Sequence, residues 1–177
     1  MPRTGVGRPT DDQPYTADKS LSATHLRTAL LENYAAVQYH YVQFLAEHLT
    51  DCRKTLGGDF DDLMMLAVLG QRFLQARLAL DNGEPGAEAR VWMSALRLSD
   101  VTGVPRESAR RKLLRLEKRG WVTHDSTHGW RLAGTIREVQ ARIDLGELDK
   151  RGIDRLARLL AGIMPLMAAL PPQPPET

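Results

Sequence analysis

Residues 94–133 read SALRLSDVTGVPRESARRKLLRLEKRGWVTHDSTHGWRLA. Ser94 can cap a short helix that runs to Thr102. Gly103 supplies the left-handed residue that ends it, and Pro105 opens the next helix, where a missing N–H costs nothing. That second helix spans Arg106 to Arg119 and stops at Gly120. Two short helices about a tight glycine turn make a helix-turn-helix. Ser99 lies four residues before the turn glycine and is small where the two helices nearly touch. Leu98, Val104, Ala109, Leu113 and Leu116 form the expected buried seam. Beyond Gly120, Trp121-Val122-Thr123-His124 and Trp130-Arg131-Leu132 alternate around the polar turn Asp125–His128 and Gly129, the pattern of a short hairpin. A helix-turn-helix followed by a hairpin is a winged helix, with Trp121 and Trp130 packing as core at the base of the wing.

Charge clustering says what the second helix is for. Residues 106–119 hold seven cations (Arg106, Arg110, Arg111, Lys112, Arg115, Lys118 and Arg119) against Glu107 and Glu117, a local charge of +5. The whole chain of 177 residues carries only +2, so the rest is net −3 and the positive field is local. Bulk charge therefore cannot coat nucleic acid. With Ala109, Leu113 and Leu116 inward, Arg106, Glu107, Arg110 and Arg111 project outward. Arginine reads guanine O6 and N7 with two hydrogen bonds, and a recognition helix inserts its first turns into the major groove. Thr102 and Ser108 are expected phosphate contacts. Arg115, Lys118 and Arg119 lie further along and serve either the DNA backbone or solubility. Glu107 either reads a cytosine or holds Arg111 one turn away. Thr127 and His128, at the hairpin tip, are the wing's candidate contacts.

Working outward, residues 1–20 are rich in Pro, Gly, Thr and Asp and read as a disordered tail, as do residues 171–177. The first twenty residues have no apolar stretch of the signal-peptide kind. No apolar run reaches the roughly 18 residues of a membrane span. Apolar residues make up 42% and charged residues 26%, near globular averages, which excludes wholesale disorder. Cys52 is the single cysteine, so no internal disulfide forms and a reducing compartment is the default. A soluble, cytoplasmic, nucleoid-associated protein without a membrane partner is the expectation.

Residues 21–58 read as one long helix, capped by Ser22 or Thr24 and running to about Lys54 before Gly57-Gly58. One face carries Leu26, Leu30, Val37, Tyr41, Phe44 and His48. A second carries Leu31, Tyr34, Gln38, Val42, Leu45 and Leu49. A helix apolar on two sides must be covered on two sides, either as the centre of a monomer or as a subunit interface. Asp59 caps the next helix, which carries Phe60, Leu63, Leu66, Ala67, Phe73, Leu74 and Leu78 before Asp81–Gly86 break the chain. Arg90–Met93 read as one short strand. In residues 135–170, Thr135 and Glu138 form a capping box that opens a helix through Ile136, Val139 and Ile143. The last helix carries Ile153, Leu156, Leu160, Ile163, Met167 and Leu170 at heptad steps, with Pro165 inside it.

The stretch Leu98–Arg106, followed by Ala109–Val122, resembles the winged-helix transcriptional regulators of bacteria. The order of elements over residues 21–170 is similar to that of the MarR family, the multiple antibiotic resistance regulators. The motif covers about forty residues and is specific for a winged helix. The resemblance implies a homodimer whose first and last helices interlock, each lobe reading half a palindrome in double-stranded DNA. It places DNA contacts at Arg106, Glu107, Ser108, Arg110 and Arg111. The wing departs from the family's Asp-x-Arg tip, reading Asp125-Ser126-Thr127-His128-Gly129. Lys112 stands where an aliphatic residue is common, and its stem can snorkel along the core.

The expected fold is thus mainly α with a small β wing. The DNA-binding unit occupies residues 59–134, flanked by dimerisation helices at 21–58 and 135–170. No catalytic, cofactor or metal constellation emerges. There is no phosphate loop and no His-Glu-x-x-His. His40 and His48 are two turns apart with no third ligand between them, and His124 and His128 lack partners beyond Asp125. Cys52 lies beside Arg53 and Lys54, which would lower a thiol pKa, although a lone cysteine usually packs as a small apolar residue. The architecture leaves a cleft that Tyr34, His40, Tyr41 and Phe44 could line, and no residue pattern supports a small-molecule effector. The alternative to a DNA-binding regulator is a winged helix that binds another protein. A helix of +5 speaks against that, because interaction surfaces carry fewer charges and more aromatics.

Overall fold

The computed structural model describes residues 23–168 and is mainly helical, with one small two-stranded antiparallel sheet. The expected tails, Ser22 and Leu170 lie outside the described residues. In chain order come α1 (Ala23–Glu32), α2 (Tyr34–Thr55), α3 (Phe60–Asp81), a 3₁₀ turn (Ala87–Val91), α4 (Ala95–Thr102), α5 (Arg106–Lys118), β1 (Val122–Asp125), β2 (Gly129–Leu132), α6 (Gln140–Asp144) and α7 (Gly146–Ala168).

The central core belongs to residues 56–145. Met65, Leu66, Leu69 and Phe73 of α3 meet Leu98, Val104, Ala109, Leu113 and Leu116. Trp121, Val122, Trp130 and Leu132 close it at the hairpin, and Val139 and Ala141 close it beside α6. The seam and both tryptophans are therefore where the sequence puts them. Helix α3 is long and apolar enough to cross a membrane by length and composition. Its inward side makes this core, and that accounts for its apolar character. Asp59 caps α3 by accepting from the amides of Asp61 (3.1 Å) and Asp62 (3.2 Å).

Helices α1, α2 and α7 form a second layer. Positions His40 and His48 of α2 meet Gly162 and Gly152 of α7, so the two long helices run antiparallel. The missing side chains at the two glycines make room for the imidazole rings. Asp51 binds Arg151 (2.7 Å) and Arg155 (2.8 Å), and Glu47 binds Arg158 (2.9 Å). The face of α2 that carries Phe44 and His48 turns toward α7 and is half-buried. Tyr34, Val42 and Leu49 of α2 and Leu31 of α1 remain exposed.

Three local readings of the sequence are corrected. The long first helix is interrupted at Asn33, which has φ −104° and ψ 27°. The Asn33 backbone amide and side-chain amide both donate to the Ala29 carbonyl, each at 3.1 Å, at the residue where the chain leaves the helical conformation. Arg90–Met93 is not a strand. Residues to Val91 form the 3₁₀ turn, and only Met93 makes a bridge, exchanging both backbone hydrogen bonds with Trp130 (2.9 and 2.8 Å). The Thr135 hydroxyl does accept from the amides of Arg137 (3.3 Å) and Glu138 (3.1 Å). It closes a turn, however, and opens no helix. The Thr135 amide donates to the Glu138 carbonyl (2.8 Å), Val139 is extended, and α6 starts only at Gln140. Helix α7 contains Pro165 and continues past it to Ala168.

Candidate nucleic-acid interface

The α4–α5 turn is built from short-range bonds. The Ser94 hydroxyl accepts from the Arg97 amide (3.2 Å) and starts α4. Gly103, with φ 71°, ends it and donates its amide to the Ser99 carbonyl (2.9 Å). The Ser99 hydroxyl donates to the Val104 carbonyl at 2.7 Å, so the small residue at the crossing also ties the turn. The Thr102 hydroxyl donates to the Leu98 carbonyl (2.6 Å) and accepts from the Val104 amide (3.3 Å). Its one proton is thereby used inside the turn, which differs from its expected role as a phosphate donor.

Ala109, Leu113 and Leu116 hold α5 by its inner face, each wholly buried. Arg106, Glu107, Arg110 and Arg111 are exposed on the other side, and Ser108 is half-buried. The seven cations are not equivalent. Lys112 binds Asp59 (2.6 Å) and Asp61 (3.1 Å). Arg115 binds Asp59 (2.6 Å) and Asp62 (2.9 Å). Arg110 forks onto Glu107 (2.9 Å), and the Arg111 guanidinium reaches the Ser108 hydroxyl (3.4 Å). Arg119 lies over the Trp121 ring at 5.1 Å. Arg106, Arg111 and Lys118 make no ion pair among the described residues.

These contacts set the titration of the acids. Burial pushes the Asp59 carboxyl up, but Lys112, the Asp62 amide and Arg115 outweigh it and hold it at about 2. Burial likewise opposes the charge on Lys112, and its bonds to Asp59 and Asp61 overcome this and raise it. The Arg110 guanidinium holds Glu107 below the ordinary carboxylate range. Glu107 therefore partners Arg110 in the free protein, not Arg111 as the spacing allowed.

The hairpin pairs Val122 with Leu132 and Asp125 with Gly129. At its tip, Asp125 accepts from the amides of Thr127 (2.9 Å) and His128 (2.8 Å), and the His128 Nδ1 lies 2.8 Å from the same carboxylate. The His128 and Thr127 amides, then the imidazole, keep that carboxyl low. Thr127 and His128 are both exposed. Trp92 flanks the wing, with Arg131 over its ring at 4.9 Å and His128 beside it at 5.6 Å.

The Asp59/Asp62 grip on α5 escapes a reading of α5 alone. The signal was present as two pairs of opposite charge, each three residues apart, on different helices: Asp59 with Asp62, and Lys112 with Arg115. Trp92 and Arg131 beside the wing carry no such signal.

Cys52 is buried, and its thiol is pushed up by that burial and by the Asp51 charge. Arg155 opposes them only partly, so the environment disfavours the thiolate. Its sulfur lies 3.6 Å from the His48 Nε2. A cavity of about 420 Å³ opens beside this pair, walled by Leu66, Phe73, Leu132, Val139 and Leu145. Tyr34 and Tyr41 do not line it. His40 and Phe44 line a smaller space of about 310 Å³ between α2 and α7. Among the described residues no three His, Cys, Asp or Glu side chains converge as a metal set.

No family model matches the chain, and no curated protein or solved structure matches it either.

Proposed function

We propose that the protein is a homodimeric, sequence-specific DNA-binding regulator of transcription, with α4, α5 and the hairpin acting as a winged helix-turn-helix. One observation carries this reading: the first turns of α5 present Arg106, Arg110 and Arg111 to solvent while its opposite face is wholly buried. A rigidly seated helix with exposed arginines in its first turns suits the major groove, where arginine distinguishes guanine by two hydrogen bonds. In this reading Ser108 contacts a phosphate, and the exposed Thr127 and His128 supply the wing's contacts. The ion-paired Arg115 and the internally bonded Thr102 leave the contact set.

The homodimer accounts for a second feature. Tyr39 and Ile153 are each 67% exposed, and Tyr34, Val42, Leu160 and Met164 are exposed on the same layer, on α2 and α7. That much aromatic and aliphatic surface is the composition of an interface core. A two-fold dimer would set two copies of α5 about 34 Å apart, one turn of DNA, and so read an inverted repeat.

The test is selection of bound duplexes from a random pool at low and near-physiological salt. Enrichment of an inverted repeat that survives the higher salt is expected. Binding without enrichment would mean an architectural protein held by phosphates. Absence of binding at both salts would favour a winged helix that recognises another protein.

A further inference from the structure

Two opposite-charge pairs with the same spacing meet where α3 begins. Lys112 lies 2.6 Å from Asp59 and 3.1 Å from Asp61, and Arg115 lies 2.6 Å from Asp59 and 2.9 Å from Asp62. The contact is buried at Asp62 and mostly covered at Lys112, while Arg115 and Asp61 stay half-exposed. Asp62 is 1% exposed, and the Lys112 side chain is 15% exposed. Asp59 is fixed independently, because the same carboxylate caps α3.

We propose that Asp59, Asp61 and Asp62 form a charge mask that withholds Lys112 and Arg115 from DNA and confines contact to the first two turns of α5. This rests on the DNA-binding reading above. A cation seated on a buried carboxylate must give up that partner before it reaches a phosphate, so it adds little to sequence-independent affinity, whereas the Arg110–Glu107 pair is exposed at both ends and opens without that cost. A helix with all seven cations free would grip the phosphates of any sequence. With two of them masked, affinity depends more on Arg106, Arg110 and Arg111, whose contacts discriminate between bases. The three carboxylates also repel the phosphate path on that flank, which limits how α5 can tilt in the groove. They are positioning residues and touch no base themselves.

The experiment uses the full chain as wild type, Asp62→Asn and Asp61→Asn. Asp61 is half-exposed, and its replacement leaves the core intact. Affinities for the selected duplex and for a random duplex are measured against potassium chloride concentration, with elution from a heparin column and thermal melting alongside. In Asp62→Asn the slope of log Kd against log salt is expected to steepen by up to about one, because Asp62 holds only Arg115. Random-duplex binding strengthens, the ratio of selected to random affinity falls, and heparin elution moves to higher salt. Asp61→Asn shifts the same readouts in the same direction by less. A merely structural tie would lower the melting temperature and leave slope, ratio and heparin elution unchanged, which would overturn the mask. Wild type that binds neither duplex at any salt would overturn the DNA-binding reading, and the mask with it.

Discussion

A methyl group on Gly129 would lie 2.6 Å from the Met93 carbonyl oxygen and 2.9 Å from its carbon. That carbonyl accepts the Trp130 amide, the bond that ties the hairpin to the chain just before α4. Gly129 also has φ 97°, a conformation that side chains resist. Gly129→Ala is therefore expected to cost about 1–3 kcal/mol in urea denaturation. An unchanged midpoint would show that the hairpin is not anchored there. Ser99→Ala removes the 2.7 Å bond to the Val104 carbonyl and should cost about 1 kcal/mol by the same measurement. Ser99 and the two tryptophans were legible because a small residue before a turn glycine and a bulky aromatic at a strand end each have one dominant use. The polar partners of Thr102 and Lys112 were not. A hydroxyl can bond its own turn as readily as a phosphate, and a lysine's partner 53 residues away has no local trace.

Ion pairs join the helices in both layers. Asp51 links α2 to α7, and Asp59 links α3 to α5. The Arg151 guanidinium holds the Asp51 carboxyl at about 2 against the burial that would raise it, helped by Arg155. Asp59 is held equally low. Both would titrate near 3.8 in the unfolded chain. As pH falls, the unfolded state takes up these protons first, so the stabilisation is complete above about pH 5 and is lost as pH drops towards about 2. Wild type should thus melt above Asp51→Asn at about pH 6, and the gap should narrow steadily towards about pH 2.5. A gap independent of pH would show that the carboxylate charge on Asp51 contributes nothing. At this scale the sequence was readable where periodicity and caps agree. Asp59, Ser94 and Gly103 bound α3 and α4 as expected. It misled where one polar residue had two uses. Asn33 adds its side-chain amide to the Ala29 carbonyl and leaves the helical conformation, splitting a helix whose apolar spacing runs straight through it. Thr135 made its expected bonds to the Arg137 and Glu138 amides, yet these closed a turn because Val139 is drawn into the core in an extended conformation.

In the whole molecule, Phe60, Met64, Leu74 and Leu78 are exposed on α3, but the largest share of the apolar surface that the fold leaves uncovered lies on α1, α2 and α7. The proposed dimer buries it. Leu160 is exposed in the single chain, so Leu160→Asp should leave the fold intact and turn a dimer into a monomer in sedimentation velocity, with loss of operator affinity. A variant that remains dimeric would move the interface elsewhere. Substitution in α5 should act differently. Arg111→Ala should leave the oligomer unchanged, cost about 1–3 kcal/mol of binding and relax the preference at one base pair per half-site. The most direct test of base reading by α5 is selection from a random duplex pool with wild type and Arg111→Ala in parallel. An inverted repeat for the wild type, with preference lost at one symmetric pair of positions in the variant, is the result expected of a recognition helix. The same consensus for both proteins, or no consensus for either, would contradict it.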